Sequence, residues 1–240
     1  MIEKFNKLDN SKKIPIVIFT AIVLIVIIIL FTIFTWNGSK YDHLKVDSKK
    51  GFVYTCNNIK NNDFNINVPC INIDGSSIKS INEDINSYVE DFIYNEMLNL
   101  SYEYNLNGKV LSLVIKVMDY NTKDIPKAYF KTYNINLETL ELISDEELLN
   151  VYEVSLDTIE TAIYKKFDTW YKEILEEGYF NEEDCDYDCF LENHAVEDYT
   201  EEVSYYIDRG KLVAYKPFTF YTIYGEDEYF DEDSFKFVIE

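Results

Sequence analysis

Residues 102–118 read YEYNLNGKVLSLVIKVM, and this stretch decides the fold class. Tyr102, Tyr104 and Leu106 alternate with polar residues, the period of a half-buried strand. Asn107-Gly108 is a two-residue hairpin signal, and residues 110–118 supply the returning strand. After a turn around Asp124-Ile125-Pro126, residues 128–137 (AYFKTYNINL) are rich in β-formers again. Three strands at these spacings predict an antiparallel meander.

Upstream, Phe64, Ile66, Val68 and Cys70 alternate as a further strand that ends at Asp74-Gly75. Ile78, Ile81, Ile85, Tyr88 or Val89, Phe92 and Met97 then recur every three to four residues. With Ser76 or Ser77 as N-cap, this predicts an amphipathic helix over 77–98 that packs on the meander. Downstream, Ser144-Asp145-Glu146-Glu147 has the form of a capping box. Leu156, Ile159, Ile163, Phe167, Trp170 and Ile174 line one face of a long helix that stops at Gly178. Residues 179–201 are acidic and irregular. Short β-rich pieces follow at 203–207, 211–215, 218–224 and 235–239, with Asp208-Arg209-Gly210 as a hairpin turn. The expectation is an α+β ectodomain of antiparallel sheets packed with two long helices, in halves of about 52–140 and 141–240.

Residues 14–35 (IPIVIFTAIVLIVIIILFTIFT) carry no charge. As a helix they extend about 33 Å, enough to cross a hydrocarbon layer of about 30 Å. Trp36 follows at the interfacial position, and no small-x-small cleavage site is present. Residues 14–36 therefore read as a single-pass transmembrane helix and signal-anchor in contact with the lipid bilayer. Residues 1–13 form a cytoplasmic tail and 37–51 a juxtamembrane linker. Lys4, Lys7, Lys12 and Lys13 on one flank balance Lys40, Lys45, Lys49 and Lys50 on the other. The short tail and the α-amino group tip the expectation to N-terminus inside and the C-terminal domain outside.

The chain has 240 residues, 44 acids against 22 basic residues, and a net charge of −22. Four acids and eight lysines precede Phe52, which leaves 40 acids, 14 basic residues and −26 for the remainder. Nucleic-acid binding needs a basic face and is excluded on this ground. Arg209 is the only arginine, so bidentate guanidinium clamps are nearly excluded too.

Candidate chemistry is sparse. His43 and His194 are the only histidines, and no nucleophile elbow, HExxH or phosphate loop occurs. No cofactor is implied and no catalytic residue stands out. Asp184, Asp186 and Asp188 have the spacing that opens an EF-hand, but Cys189 stands where the loop needs glycine and Ala195 where it needs glutamate. The readings of this loop are a solvated acidic segment, a Cys185–Cys189 disulfide, or a loose metal contact. A Cys185/Cys189/His194 zinc site lacks a fourth ligand. Four cysteines form an even set with three connectivities, and local pairing of Cys56 with Cys70 and Cys185 with Cys189 is the expectation in an oxidising compartment; reduced, partly buried thiols are the alternative. Cys56 and Cys70 would staple two strands beside a 57–67 loop.

Tyrosine is abundant, with 21 in the chain. Tyr129, Tyr133, Tyr205, Tyr206, Tyr215, Tyr221 and Tyr224 fall on predicted strands. They read as sheet packing, or as an aromatic binding surface whose negative surroundings would attract a cationic partner.

Val68-Pro69-Cys70-Ile71-Asn72-Ile73-Asp74-Gly75, the strand Val110-Leu111-Ser112-Leu113-Val114 and the strand-turn Lys131-Thr132-Tyr133-Asn134-Ile135-Asn136-Leu137 resemble a bacterial extracytoplasmic domain of unknown function. The step at 144–149 and the closing strands at 203–239 are similar to it as well. That family includes the ectodomain of RsiV-type lysozyme-sensing anti-sigma factors and the non-catalytic region of membrane-anchored peptidoglycan deacetylases. The resemblance spans roughly 52–240 and implies a wall-facing binding domain of the bacterial cell envelope. The expected ligand is a cationic, lysozyme-like protein or peptidoglycan. A carboxylate-dependent glycan hydrolase and a scaffold subunit of an envelope complex are the alternatives. The 13-residue tail is too short for an anti-sigma region, and Lys123-Asp124-Ile125-Pro126-Lys127 replaces the family's turn before the "tyN" strand.

Overall fold

The computed structural model describes residues 22–23, 41–61, 64–93, 97–120, 127–178, 183, 185–193, 202–218 and 235–239. It divides into two compact units, Met1–Lys45 and Val46–Glu240. In the first unit, Ile22 and Val23 are helical, and the rest of 14–36 lies outside the described residues. Among the described residues no helix is long and apolar enough to cross a membrane.

The second unit is α+β. A five-stranded sheet runs in the order β1 (Val53–Asn61), β2 (Phe64–Ile71), β3 (Leu98–Asn107), β4 (Val110–Asp119) and β5 (Lys127–Asn136). A three-stranded sheet contains β6 (Ser204–Asp208), β7 (Lys211–Tyr215) and β8 (Lys236–Val238). The helices are α1 (Ser76–Glu90), α2 (Asp145–Val151), α3 (Leu156–Glu177) and α4 (Tyr187–Asn193).

The β3–β4 hairpin forms with Asn107 opposite Val110, and Gly108 takes the first turn position at φ 64°. At the β6–β7 turn, Arg209 and Gly210 adopt φ 49° and 85°, both left-handed as a type I′ turn requires. Several expectations are corrected. The first sheet is mixed, because β2 and β3 run parallel through Ile66 and Leu100. The connection between them is α1, and a helical crossover is what a parallel neighbour demands. The 57–67 segment expected as a loop is the β1–β2 hairpin, with Tyr54 opposite Cys70. Its Asn-rich outer strand is largely exposed and so carries little apolar alternation.

α1 starts after Gly75, with Ser76 already helical, and it ends at Glu90 rather than near 98. Met97 precedes a strand whose Leu98 and Leu100 are buried alternately with Asn99, so period two replaces the helical period there. The region 179–201 contains α4. The expected turn at Asp124-Ile125-Pro126 and the piece beyond Phe218 up to 224 lie outside the described residues. Within the expected linker, Asp47 and Gly51 carbonyls accept from Asn72 Nδ2, which ties this end to the body.

β4 is buried on both faces along most of its length. Leu111, Leu113, Ile115 and Val117 are fully buried and alternate along the strand with Ser112, Val114 and Lys116. On their face, Tyr133, cross-strand from Leu113, donates from its hydroxyl to Asp84 Oδ2 on α1 at 2.8 Å. The opposite face meets the second sheet, where Val114 packs with Tyr206, Val213 and Tyr215. Two buried polar side chains join the sheets. Ser112 Oγ donates to Asn134 Oδ1 and accepts from Ile207 N, while Asn134 Nδ2 donates to Tyr205 O. These bonds satisfy β6 main-chain groups that would otherwise be buried unpaired. Lys116, on the same face, pairs with Glu103 Oε1 at 2.7 Å and lies 5.5 Å from the Tyr215 ring centroid. α3 covers the far side of the second sheet through Ile159, Ile163 and Phe167, completing four layers: helix, sheet, sheet, helix.

Candidate functional site

Placement of the tyrosines follows from this layering. Tyr133, Tyr205, Tyr206 and Tyr215 are buried at 2%, 4%, 2% and 0% exposure. They fill the space between layers, which corrects the idea that Tyr133, Tyr205 and Tyr215 share an open binding face. Burial and the neighbouring Asp84 push the Tyr133 phenol well above its ordinary range. Burial, helped by Asp145, pushes Tyr205 up to about 12. Tyr129 is exposed and packs against Phe92 at a ring distance of 5.3 Å. Tyr221 and Tyr224 lie outside the described residues.

All four cysteines are paired, Cys56 with Cys70 and Cys185 with Cys189, at Cα separations of 5.6 and 5.4 Å. The second bond consumes both thiolates of the conceivable zinc site, and His194 lies outside the described residues. Asp186 Oδ1 accepts from Cys189 N at 3.0 Å, which caps the start of α4, and Asp188 is exposed in its first turn. Asp184 lies outside the described residues. Among the described residues, no three acidic, histidine or cysteine side chains converge on a metal-sized space.

Among the described residues, a feature with the shape of a site lies elsewhere, along the seam between α3 and β8. A groove of about 570 Å³ is lined by Lys165, Lys166, Trp170 and Glu173 from α3 and by Lys236 and Phe237 from β8, over Phe167 and Phe218. That volume falls within the range of small-ligand pockets. α3 builds its wall because the Ile159–Ile163–Phe167 stripe is buried on the sheet, so the next residues around the helix, Lys165 and Thr169, turn to solvent. The floor is aromatic: Phe167 lies 5.1 Å from Phe218, and Trp170 lies 5.2 Å from Phe190.

The lysines differ in how they are held. Lys166 Nζ donates to Lys236 O at 3.1 Å and sits 4.6 Å from the Phe237 ring centroid. Lys236 Nζ pairs with Asp208 Oδ2 at 3.0 Å. Lys165 is exposed and carries no ion pair among the described residues. The groove extends past Ala162 toward Asp157, Thr158 and Thr161, with Val238 on its β8 side.

Sequence reading singled out Trp170 only as part of an apolar helical stripe. The consecutive Lys165-Lys166 beside it, in a chain with twice as many acids as bases, was the available signal. Lys236 lies 70 residues from Lys166, so nothing local joins them. No protein-family model matches this chain, and no curated protein is similar to it at a significant level.

Proposed function

We propose that this chain is a single-pass membrane protein, anchored through residues 14–36 with its N-terminus inside, that displays the α+β domain on the outer face and binds a ligand there. The observation that carries the reading is the pairing of every cysteine in the chain. Disulfides persist in oxidising compartments and are rare where thiols are kept reduced. The uncharged run of 14–35 supplies the tether.

A cationic cell-wall-active protein of the lysozyme type is the ligand favoured by a net charge of −22. A field of that sign steers a basic partner and speeds its encounter. With Tyr133, Tyr205 and Tyr215 buried, the contact surface for such a partner is the exposed acidic exterior. A wall glycan is the second ligand, favoured by the α3–β8 groove with its aromatic floor and hydrogen-bonding rim.

Titrating the full chain in zwitterionic nanodiscs with a cationic lysozyme by calorimetry tests the first ligand. Saturable one-to-one binding that survives physiological salt is expected. Heat that disappears with added salt overturns the lysozyme reading, because screened charge attraction alone behaves that way. Turnover of wall fragments that is abolished by single Asp or Glu substitutions would replace binding with hydrolysis. A membrane partner lost when only residues 14–36 are exchanged would replace it with a scaffold role.

A further inference from the structure

In a chain of 44 acids and 22 basic residues, any patch should hold about two acids for each base. Among the described residues the α3–β8 groove reverses that ratio: three lysines, Lys165, Lys166 and Lys236, line it with Glu173, and Asp157 adds a second carboxylate only where it extends past Ala162. From this reversal and the aromatic floor beneath it we infer that the groove binds a glycan whose sugar rings carry carboxylates, with Lys165 as the ammonium that pairs with the ligand. The inference rests on the extracytoplasmic reading only for the source of the glycan, since wall polymer lies within reach on that side.

Three observations choose this ligand over other anions. A sugar ring has an apolar face and a polar rim, matching Trp170 and Phe237 below and Thr169 and the lysines beside them. A fatty acid needs an enclosed apolar channel, whereas this groove lies open along the helix–strand seam between exposed Lys165 and exposed Val238. An acidic peptide would add to the edge of β8 that faces away from β7. That edge is only three residues long, and its outward carbonyl at Lys236 already accepts from Lys166.

The lysines divide the work. Lys166 is fixed by the Lys236 carbonyl and the Phe237 ring, and Lys236 has its charge matched by Asp208, so both shape the groove wall and neither is the ammonium that a ligand carboxylate would take. Lys165 has no such tie. Its ammonium gains a charge-assisted hydrogen bond only when a carboxylate arrives.

The test uses the full chain in zwitterionic nanodiscs with Trp36→Phe, which leaves Trp170 as the single indole reporter on the groove floor. A tetrasaccharide of alternating N-acetylglucosamine and N-acetylmuramic acid is the probe, and chitotetraose is its neutral counterpart. The carboxylated sugar should change Trp170 fluorescence saturably, and Lys165→Glu should weaken it about tenfold, the loss of one charge-assisted bond. Lys60→Glu, on β1 in the other sheet, should leave the titration unchanged. An equal response to chitotetraose, an equal response to oligoglutamate, no response to any probe, or an indifferent Lys165→Glu that keeps its thermal midpoint would each overturn the inference. Lysozyme titrated separately into the same preparation keeps the two readings apart. Glycan binding without lysozyme binding overturns only the lysozyme reading, and the reverse overturns only the groove.

Discussion

The five-stranded and three-stranded sheets are held together by different means. In the first, β3, β4 and β5 are ten residues each, paired to their chain neighbours over full length, with an aliphatic filling. Leu111, Leu113, Val114, Ile115, Val117 and Ile135 are all fully buried. In the second, β6 and β7 have five residues and β8 three, too few ladder bonds to stand alone. Its core joins aliphatic residues such as Ile159, Ile163, Ile207 and Leu212 to rings brought from distant parts of the chain: Phe167 from α3, Phe190 from α4, Phe218, Phe235 and Phe237. Large rings compensate for short strands, since each one buries much more area than an aliphatic side chain.

Phe167 is the hub of that second core, with four rings around it at 5.1 to 6.4 Å among the described residues. Phe167→Ala should cost about 3–5 kcal/mol in urea denaturation, the largest effect expected of a single substitution. Because Ser112 and Asn134 couple β6 to the first sheet, loss should appear as one transition across both sheets. A variant in which amides of β6–β8 exchange freely while those of β3–β5 stay protected would show that the sheets are separable, and the comparison would become one between two domains.

How legible each region was follows the same division. The hairpin at residues 102–118, the strand of β5 and the stripe of α3 were readable because alternation and helical spacing are local signals. β1 was not, since its Thr55-Cys56-Asn57-Asn58 run lies exposed at a sheet edge and needs no apolar face. The parallel β2–β3 pairing was hidden because nothing in a strand's own residues names its neighbour. Burial of Tyr133, Tyr205 and Tyr215 was unreadable for a related reason: alternation says that a strand has two faces, but not that another sheet covers the second. The groove needed both α3 and β8, 70 residues apart in the chain at their hydrogen bond. It therefore appears only when the fold is assembled.

The disulfides sharpen the comparison next. Each half carries one, but they close loops of different length, with a sequence separation of 14 for Cys56 and Cys70 and of 4 for Cys185 and Cys189. In the chain-entropy account, removing the first should cost about 3 kcal/mol and removing the second about 2 kcal/mol. Paired serine variants followed by urea titration measure both. A larger loss from Cys185/Cys189 would mean that this bond holds α4 against Tyr171, whose hydroxyl donates to Cys185 O at 3.1 Å, and does more than shorten a loop.

Alkaline pH probes the interface itself. Tyr205 holds its proton to about 12, raised by burial, while an unfolded tyrosine releases it near 10. A group with a raised folded pKa contributes stability that is complete below the unfolded value and is lost as pH climbs from about 10 to about 12. Tyr133 and Tyr206 are raised in the same direction by burial and nearby carboxylates, so both faces of the five-stranded sheet should weaken in that window. Tyrosinate absorbance read against unfolding should show ionisation and loss of structure together. Tyr205→Phe should narrow the loss; a variant that unfolds along the same alkaline curve as the parent would remove Tyr205 from the account.

The smallest expected effect contrasts the helices of the two regions. α3 begins at Ser155, whose Oγ accepts from Thr158 N at 3.2 Å, and α2 begins at Ser144, whose Oγ accepts from Glu147 N at 3.2 Å. α1 begins at Gly75, with no side-chain cap. Ser155→Ala should therefore cost about 1 kcal/mol, as loss of a cap usually does. The reciprocal change, Gly75→Ser, should not return that amount. Gly75 is extended at φ 167°, a conformation open to any residue, so backbone strain is no obstacle. The obstacle is space: a Cβ there would stand 3.0 Å from Leu140 Cδ1 and 3.7 Å from Ile78 Cγ1. Leu140 must turn aside to admit it, which offsets the new hydrogen bond and leaves Gly75→Ser within about 0.5 kcal/mol of the parent. Should Gly75→Ser instead stabilise by as much as Ser155→Ala costs, the Leu140 contact is soft, and α1 lacks a cap for reasons other than its packing.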